Sequence, residues 1–212
     1  MSRIVITGGP GGGKTTLLLA LQARGYPIVG DTARAIIHDR RSRGLSPRSD
    51  PHAFAHEVLR ADVENFVRHS AHPGPVFFER GVVDALCMLD QVTPLNESEL
   101  SSWLSKYQYF PKVFVLPPWK EIYANDAERD HTFEHAELVN RIGQEWYRRC
   151  GYQVLEVPMV SVWTRGVRTC CKRWQTQCDA RGYSTLRRTR SSRARHPPHS
   201  TGTRLHRLVQ RY

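Results

Sequence analysis

Long hydrophobic runs are absent from this chain of 212 residues, although 40% of its residues are apolar. A membrane-spanning helix needs about 18 or more consecutive apolar residues, and no stretch of the sequence approaches that length. Residues 1–3 lead directly into a short apolar segment, which is too brief for a signal-peptide core and lacks a small-residue cleavage site. The sequence therefore predicts a soluble, cytoplasmic protein without a membrane span.

Cysteine is scarce, and its total of five is an odd number. Cys87 and Cys150 stand alone in segments with helical patterns, while Cys170, Cys171 and Cys178 cluster toward the C-terminus. The spacing of the three clustered cysteines matches no common zinc site. We therefore expect no disulfide framework, and we predict that Cys87 and Cys150 are reduced core residues.

Acidic residues are almost missing from the last part of the chain. Only Asp179 follows Val160, whereas 13 of the 31 Lys and Arg residues lie there; before that point 18 basic residues face 19 acidic ones. The net charge of +11 thus belongs to the C-terminal part, and the rest has no basic excess for binding nucleic acid. This change of composition predicts a folded domain over residues 1–160 and a disordered basic tail over residues 161–212.

Short apolar segments alternate with helical patterns along the first 160 residues. Five of these segments have the composition of buried strands, and they contain "RIVIT", "YPIVG", "PVFFE", "KVFV" and "QVLE". Such alternation predicts an α/β fold with a mostly parallel five-stranded sheet. Ligands of these folds bind beyond the carboxyl ends of the strands, and polar residues stand at three of those ends.

The first strand is followed by "GGPGGGKT", which matches the phosphate-binding loop G-x-x-x-x-G-K-[ST], the P-loop, in its expected place between a strand and a helix. Glycines allow the backbone N–H groups to surround an anion, and the helix directs the positive end of its dipole to the same point. The predicted nucleotide-binding residues are Gly8, Gly9, Pro10, Gly11, Gly12, Gly13, Lys14, Thr15 and Thr16. We expect Lys14 to reach the β- and γ-phosphates, Thr15 to bind Mg²⁺ and Thr16 to contact the α-phosphate. The predicted cofactors are ATP, with GTP as the alternative, and Mg²⁺.

Two carboxylates follow other predicted strands. Glu79 ends the third strand, where P-loop proteins place the acidic residue that holds Mg²⁺; its alternative role is a salt bridge to Arg80 or to another nearby arginine. Asp31 ends the second strand, where a carboxylate can accept the proton of an attacking hydroxyl. Asp31 can equally be the N-cap of the helix that starts at Thr32, and the two roles are compatible.

A charged segment lies between the fourth and fifth predicted strands, at the position of a mobile lid in phosphoryl transferases. Arg129 is our first candidate for an arginine that contacts the transferring phosphate, and Arg141 is the second. Arg34, one turn into an earlier helix, can face either substrate or solvent. The alternative for all three is a solvated helix surface. His131 and His135 share a helical spacing but have no evident third ligand, so we predict no metal site there.

Taken as an ordered set, "VITGGPGGGKTTLLLAL", "YPIVGDTARAII", "PVFFERGVVDALCML", "VFVLPPWKEIYANDAERDHTFEHA" and "CGYQVLEVP" resemble the NadR-type AAA domain family of P-loop NTPases over residues 3–160. The resemblance implies a compact three-layer, nucleoside-kinase-like P-loop fold that binds ATP or GTP with Mg²⁺. The position of Asp31 is commonly glutamate in that family. The tail departs from the family's usual final helix, which motivates the hypothesis that it is a shifted or extended reading frame.

Three classes of function remain open from the sequence. The first is phosphoryl transfer from ATP to a small hydroxylated acceptor such as a nucleoside, or ATP hydrolysis, with Lys14, Asp31, Glu79 and Arg129 as catalytic residues. The second is a nucleotide-dependent switch that acts through a partner. The third is nucleic-acid or anionic-membrane binding by the basic tail. No N-K-x-D guanine-reading motif is present, and there is no room for the helical domain of a ring-forming motor.

Overall fold

A computed structural model of the chain describes residues 2–48, 50–120 and 132–158. The predictions for Arg129 and His131, for the three clustered cysteines and for the basic tail fall on residues outside these ranges. The described part of the chain contains no helix with both the length and the hydropathy needed to cross a bilayer.

Five strands form one sheet in the order β2-β3-β1-β4-β5, and all four neighbouring pairs are parallel. The strands are β1 (Arg3–Thr7), β2 (Ile28–Val29), β3 (Val76–Glu79), β4 (Lys112–Val115) and β5 (Gln153–Glu156). This arrangement confirms the predicted α/β class and the predicted number of strands. Because every strand runs in the same direction, the carboxyl ends of β1, β2 and β3 meet at one edge.

Six helices connect or follow these strands in the described residues. They are α1 (Lys14–Gln22), α2 (Thr32–Ser42), α3 (Pro51–Arg68), α4 (Val82–Asp90), α5 (Glu97–Lys106) and α6 (Phe133–Arg149). Helix α5 was not predicted from the sequence, although Asn96 and Glu99 form a capping box at its start.

Side chains cap four of the helices at their N-termini. Asp31, Asp50, Asn96 and Thr132 each accept a hydrogen bond from a backbone N–H in the first turn of α2, α3, α5 and α6. In contrast, α1 follows Gly13 and no side chain caps it. The first N–H groups of α1 are therefore left for another acceptor, at the carboxyl end of the central strand.

Two hydrophobic cores lie on opposite faces of the sheet. On one face Ile4 and Ile6 of β1 pack with Leu17 and Leu21 of α1. On the other face Val5 belongs to the larger core, to which α3, α4, α5 and α6 contribute. Since alternate residues of a strand point to opposite faces, β1 is buried on both sides, and its C-terminal end is held firmly beneath the loop that follows.

Candidate functional site

The loop of residues 8–13 joins the end of β1 to the start of α1. Gly11 and Gly13 have φ angles of 79° and 78°, a left-handed conformation that favours glycine because it has no Cβ atom. The turn brings the chain directly into the first turn of α1, whose N–H groups have no side-chain cap. This geometry is that of an anion-binding loop at a helix N-terminus.

The other glycines of the loop are required by neighbouring protein backbone. A Cβ atom on Gly8 would lie 2.1 Å from the carbonyl oxygen of Leu116, and one on Gly12 would lie 2.6 Å from the same oxygen. A Cβ on Gly9 would lie 2.3 Å from the carbonyl oxygen of Ala136 in α6. The loop is thus wedged between the segment that follows β4 and the first turns of α6.

The Lys14 side chain is buried and folded back onto the loop. Its Nζ donates hydrogen bonds to the carbonyl oxygens of Gly8 at 3.1 Å and Gly9 at 2.8 Å. Burial and the neighbouring Arg80 guanidinium together lower the pKa of Lys14 to about 8, although the Glu79 carboxylate opposes them. The ammonium group therefore lies at the inner side of the loop, with a proton that is held less tightly than usual.

Thr15 and Glu79 contact each other directly below the loop. The Thr15 Oγ1 donates to Glu79 Oε2 at 2.9 Å, and the Glu79 side chain is buried at the end of β3. Both residues offer hard oxygen atoms of the type that Mg²⁺ prefers. These two residues therefore fit a Mg²⁺ site, and the alternative partner of Glu79, Arg80, is directed elsewhere.

Arg80 adopts a strained backbone conformation that directs its side chain toward the loop. Its φ angle is 64°, unusual for a residue with a side chain, while its N–H donates to Ile6 in β1 at 2.9 Å. The guanidinium lies 3.8 Å from Asp31 Oδ2 and donates to the Gly8 carbonyl at 3.3 Å. Arg80 therefore links the second predicted carboxylate to the phosphate-binding loop.

Asp31 is both the N-cap of α2 and the partner of Arg80. Its Oδ1 accepts a hydrogen bond from the Arg34 N–H at 3.1 Å, as the capping prediction requires. Burial by itself would raise the pKa of Asp31, but the Arg80 guanidinium and this backbone hydrogen bond outweigh it and lower the pKa. Asp31 is therefore ionised at neutral pH.

Asp84 is a third carboxylate beside the loop. It accepts hydrogen bonds from Thr7 Oγ1 at 2.5 Å and from the Tyr147 hydroxyl at 2.6 Å. Burial raises the pKa of Asp84, against the opposing effects of Arg80 and of both hydroxyl groups. The carboxylate thereby joins β1, α4 and α6 at a single point.

A cavity of about 440 Å³ connects these groups. One end is lined by the loop, Lys14, Thr15, Thr16 and Glu79, and the cavity continues past Asp31 and Arg34 between the helices. The far walls are formed by Ile37, Phe54, Cys87, Met88, Gln91, Ile142 and Trp146. The cavity therefore has a charged end at the loop and a mainly apolar end between α2, α3, α4 and α6, where Arg48, from the segment between α2 and α3, adds one cation to the lining.

Most of the predicted site residues in the described ranges come together around this cavity. Arg34 and His135 line it, whereas Arg141 lies on the exposed surface of α6 and does not. Asp84, Tyr147 and Asn140 also belong to the site and were not predicted from the sequence. Asp84 carried a recognisable signal, because it is the one charged residue between Gly81 and Leu89; the two α6 residues carried none.

A protein-family model described as an AAA domain matches residues 3–165 of this chain. The match covers the whole phosphate-binding loop, both carboxylates and α6. No match was found among curated proteins.

Solved structures share the fold at low sequence identity. A deoxyadenosine kinase from M. mycoides with bound dATP superposes with a TM-score of 0.56 and 14% identity, over 82% of this chain and 100% of the kinase chain. The YorR protein from Bacillus subtilis, in complex with phosphorylated GDP, superposes with a TM-score of 0.51 and 11% identity, over 87% and 99% of the two chains. These likenesses confirm the predicted P-loop, kinase-like fold.

Proposed function

We propose that this chain, which belongs to the AAA domain family, binds ATP or GTP with Mg²⁺ and transfers the γ-phosphoryl group to a small hydroxylated acceptor. The observation that carries this proposal is the continuity of the cavity from the phosphate-binding loop to a separate apolar end. A site for hydrolysis alone needs room for a water molecule, whereas this cavity extends well beyond the charged groups. Phosphoryl transfer to a second substrate makes use of both ends.

The nucleotide phosphates would bind at the charged end. The loop N–H groups and the Lys14 ammonium would hold the phosphates, and Thr15 and Glu79 would hold Mg²⁺, which neutralises negative charge on the transferred group. The Lys14 ammonium donates to the loop carbonyls of Gly8 and Gly9, so it already lies beside the loop. Little rearrangement is needed for it to meet a phosphate.

The acceptor would bind at the apolar end with its hydroxyl near Asp31. The ionised carboxylate would accept the hydroxyl proton while the acceptor oxygen forms a bond to the γ-phosphorus and the bond to the β-phosphate oxygen breaks. ADP or GDP is then the leaving product. Arg80, which lies between Asp31 and the loop, would orient the carboxylate and offset the negative charge of the transferring group.

The apolar end favours an acceptor that contains a ring. Phe54, Met88 and Ile142 provide apolar walls, and Gln91 provides an amide for hydrogen bonding. A nucleoside has this combination of a flat ring with polar edges and a primary hydroxyl. The deoxyadenosine kinase with bound dATP shares this fold, which supports nucleosides as the first acceptors to test.

The proposal is tested by incubating the full chain with ATP or GTP, Mg²⁺ and a panel of nucleosides. We expect ADP or GDP release that rises with one or more nucleosides, and the matching nucleoside monophosphate by mass spectrometry. Release of ADP or GDP that no nucleoside increases would instead indicate an NTPase. Tight nucleotide binding without release of ADP or GDP would indicate a nucleotide-dependent switch.

Two substitutions assign the roles within the site. Lys14→Ala should weaken triphosphate binding, and Asp31→Asn should lower kcat by roughly 100-fold or more while leaving nucleotide affinity nearly unchanged. Asparagine is an equally good N-cap, so α2 should keep its start. The control is Asp39→Asn, an exposed aspartate of the same helix; equal losses in both variants would contradict the role of Asp31.

The basic tail supports a second proposed activity that is independent of the cavity. Residues 161–212 contain 13 basic residues and one acidic residue, a charge excess that suits a nucleic acid or an anionic membrane. Binding to DNA or RNA that weakens with salt and disappears on deletion of residues 161–212 would support it. Retention of that binding after deletion would contradict it.

A further inference from the structure

The polar side of α6 lies directly on the phosphate-binding loop. The carbonyl oxygen of Ala136 occupies the space beside Gly9, where a Cβ would be only 2.3 Å away. One turn further along, Asn140 Oδ1 accepts a hydrogen bond from the Gly9 N–H at 3.4 Å. Gly9 is therefore enclosed by α6 on two sides, and Asn140 contacts the backbone that will meet the phosphates.

The position of Lys14 identifies which phosphate Asn140 faces. In P-loop proteins this lysine reaches the β- and γ-phosphates, and here its Nζ lies 2.8 Å from the Gly9 carbonyl. Asn140 bonds to the N–H of the same residue and also lines the cavity. Because Lys14 and Asn140 both contact Gly9, we expect the Asn140 amide to face the phosphates that Lys14 reaches.

Several strong hydrogen bonds hold α6 in this position. Tyr147 donates to Asp84 at 2.6 Å, and Trp146 Nε1 donates to the Val83 carbonyl at 2.9 Å. Asp84 in turn accepts from Thr7, the residue directly before the loop. Because α6 is tied to α4 and to the end of β1, the distance between Asn140 and the loop is set by the fold.

The Asn140 side chain has spare hydrogen-bonding capacity. Its Oδ1 is used by Gly9, whereas its Nδ2 carries two donors and forms no hydrogen bond to any residue that the structure describes. An amide donor facing an anionic phosphate oxygen forms a charge-assisted hydrogen bond, which is stronger than a neutral one.

We propose that Asn140 is a specificity-determining residue that distinguishes nucleoside triphosphates from diphosphates, with its Nδ2 donating to a γ-phosphate oxygen while its Oδ1 holds the Gly9 N–H. The inference rests on the proposed nucleotide site and adds a residue that neither the P-loop motif nor the family match identifies. It gives a role to an amide at a half-buried position of α6 that faces the cavity.

The test compares the affinities for triphosphate and diphosphate in two variants. Non-hydrolysable analogues of ATP and GTP, and ADP and GDP, are titrated by calorimetry in the presence of Mg²⁺ against the full chain. Asn140→Ala should lower triphosphate affinity by roughly 10-fold or more and diphosphate affinity less than about twofold. Asn140→Asp keeps the acceptor for Gly9 but replaces the donor with a negative charge, so it should lower triphosphate affinity further.

Glu137→Ala provides the control, because Glu137 is exposed on the same helix and should leave both affinities unchanged. If the triphosphate-to-diphosphate affinity ratio is unaltered in both Asn140 variants, the inference is wrong and the proposed nucleotide site stands. Equal losses for both nucleotides would also overturn it, since they indicate only support of the loop. If the unmodified chain binds neither nucleotide, the inference fails together with the proposed function.

Discussion

Two aspartates beside Arg80 differ in how they hold a proton. Asp31 is paired with the guanidinium and with a backbone N–H, and its pKa is lowered. Asp84 is surrounded by hydroxyl donors within the protein, and burial raises its pKa. When their surroundings give two neighbouring carboxylates different pKa values, the two groups can serve different roles. The proposed role of Asp31 as a proton acceptor requires this ionised state, whereas Asp84 holds β1, α4 and α6 together.

Asp62 should make the stability of the protein depend on pH. Burial raises the pKa of this carboxyl to about 7, although the Thr32 hydroxyl donates to it at 2.5 Å. The folded state thus binds the proton more tightly than the unfolded state, so the free energy of unfolding should fall as pH rises from about 4 to 7. The loss should not exceed about 4 kcal/mol.

Urea unfolding at pH 5 and pH 8 checks this expectation. Asp62→Asn cannot ionise and still offers an oxygen to Thr32, so its free energy of unfolding should fall less between the two pH values. Glu64→Gln, at an exposed position of the same helix, is the control and should follow the unmodified protein. Parallel pH dependence in all three proteins would show that Asp62 does not titrate as described.

Lys14 should make triphosphate affinity depend on pH in a lower pH range than a surface lysine would. With a pKa of about 8 in the free protein, the ammonium loses its proton as pH rises from 7 to 9, and a bound triphosphate must restore it. We expect affinity to fall by up to about tenfold per pH unit above pH 8. Calorimetry at pH 8.5 in two buffers of different ionisation enthalpy should detect proton uptake on binding.

The Lys14→Arg variant gives the comparison for this prediction. Arginine stays charged throughout this pH range, so whatever affinity remains should not change between pH 7 and pH 9, and no proton should be taken up. Proton uptake of the same size in this variant would assign the effect to another group.

At the scale of elements, the contact between the phosphate-binding loop and α6 is the most consequential packing in the site. Ordinary helices pack through side chains, whereas here the Ala136 carbonyl oxygen of α6 lies where a Cβ atom on Gly9 would be. Tyr147 and Trp146 fasten the other end of α6 to α4 through Asp84 and Val83. A change in the conformation of the loop would therefore move α6 directly, because no other element of the described chain lies between them.

The packing of Gly9 can be tested with a pair of glycine substitutions. Gly9→Ala would place a Cβ 2.3 Å from the Ala136 oxygen and 2.8 Å from the Pro118 ring, and it should reduce the free energy of unfolding by about 1–3 kcal/mol. A Cβ on Gly143, in the middle of α6, meets nothing within 4 Å. Gly143→Ala should therefore stabilise the protein by about 1 kcal/mol.

Chemical denaturation measures the free energy of unfolding of both variants, which should change in opposite directions. A destabilised Gly143→Ala protein would mean that α6 is less helical there than described. An unchanged Gly9→Ala protein would mean that the loop and α6 are not in contact.

At the scale of the whole molecule, the sheet order brings the charged end of the cavity to the carboxyl ends of β1, β2 and β3. The order β2-β3-β1-β4-β5 puts β3 between β1 and β2, so Glu79 and Arg80 lie between the loop and Asp31. The helices on the larger core then form the apolar end of the cavity. A ligand in this cavity contacts most elements of the domain and should stabilise it as a unit.

Nucleotide binding should consequently raise the thermal stability of the full chain. At a concentration about 100 times Kd, a triphosphate adds about 2.7 kcal/mol, which corresponds to a rise in Tm of roughly 5–10 °C for a domain of this size. Removing Mg²⁺ with a chelator should reduce the rise. Differential scanning fluorimetry with ATP and GTP measures it; an unchanged Tm with both triphosphates would contradict binding at the phosphate-binding loop.

The sequence by itself determined the features that depend on neighbouring residues. The phosphate-binding loop, the N-cap at Asp31 and the buried central strands were predictable because their signals lie within a few residues of one another. The number of strands followed from the alternation of apolar segments, and the family resemblance from their order; the family match confirms that resemblance. The contact between Arg129 and the transferring phosphate stays a prediction, since Arg129 lies outside the described residues.

Only the tertiary structure decided which distant residues meet at the loop. Asp84 is 77 positions from Thr7 and Asn140 is 131 positions from Gly9, and such pairs depend on sheet order and helix packing, which no local pattern encodes. The structure also assigned Arg80 to Asp31 and placed Thr15 against Glu79. Even the reason for three of the loop glycines came from packing against Leu116 and Ala136, since close backbone contacts form only when remote segments fold together.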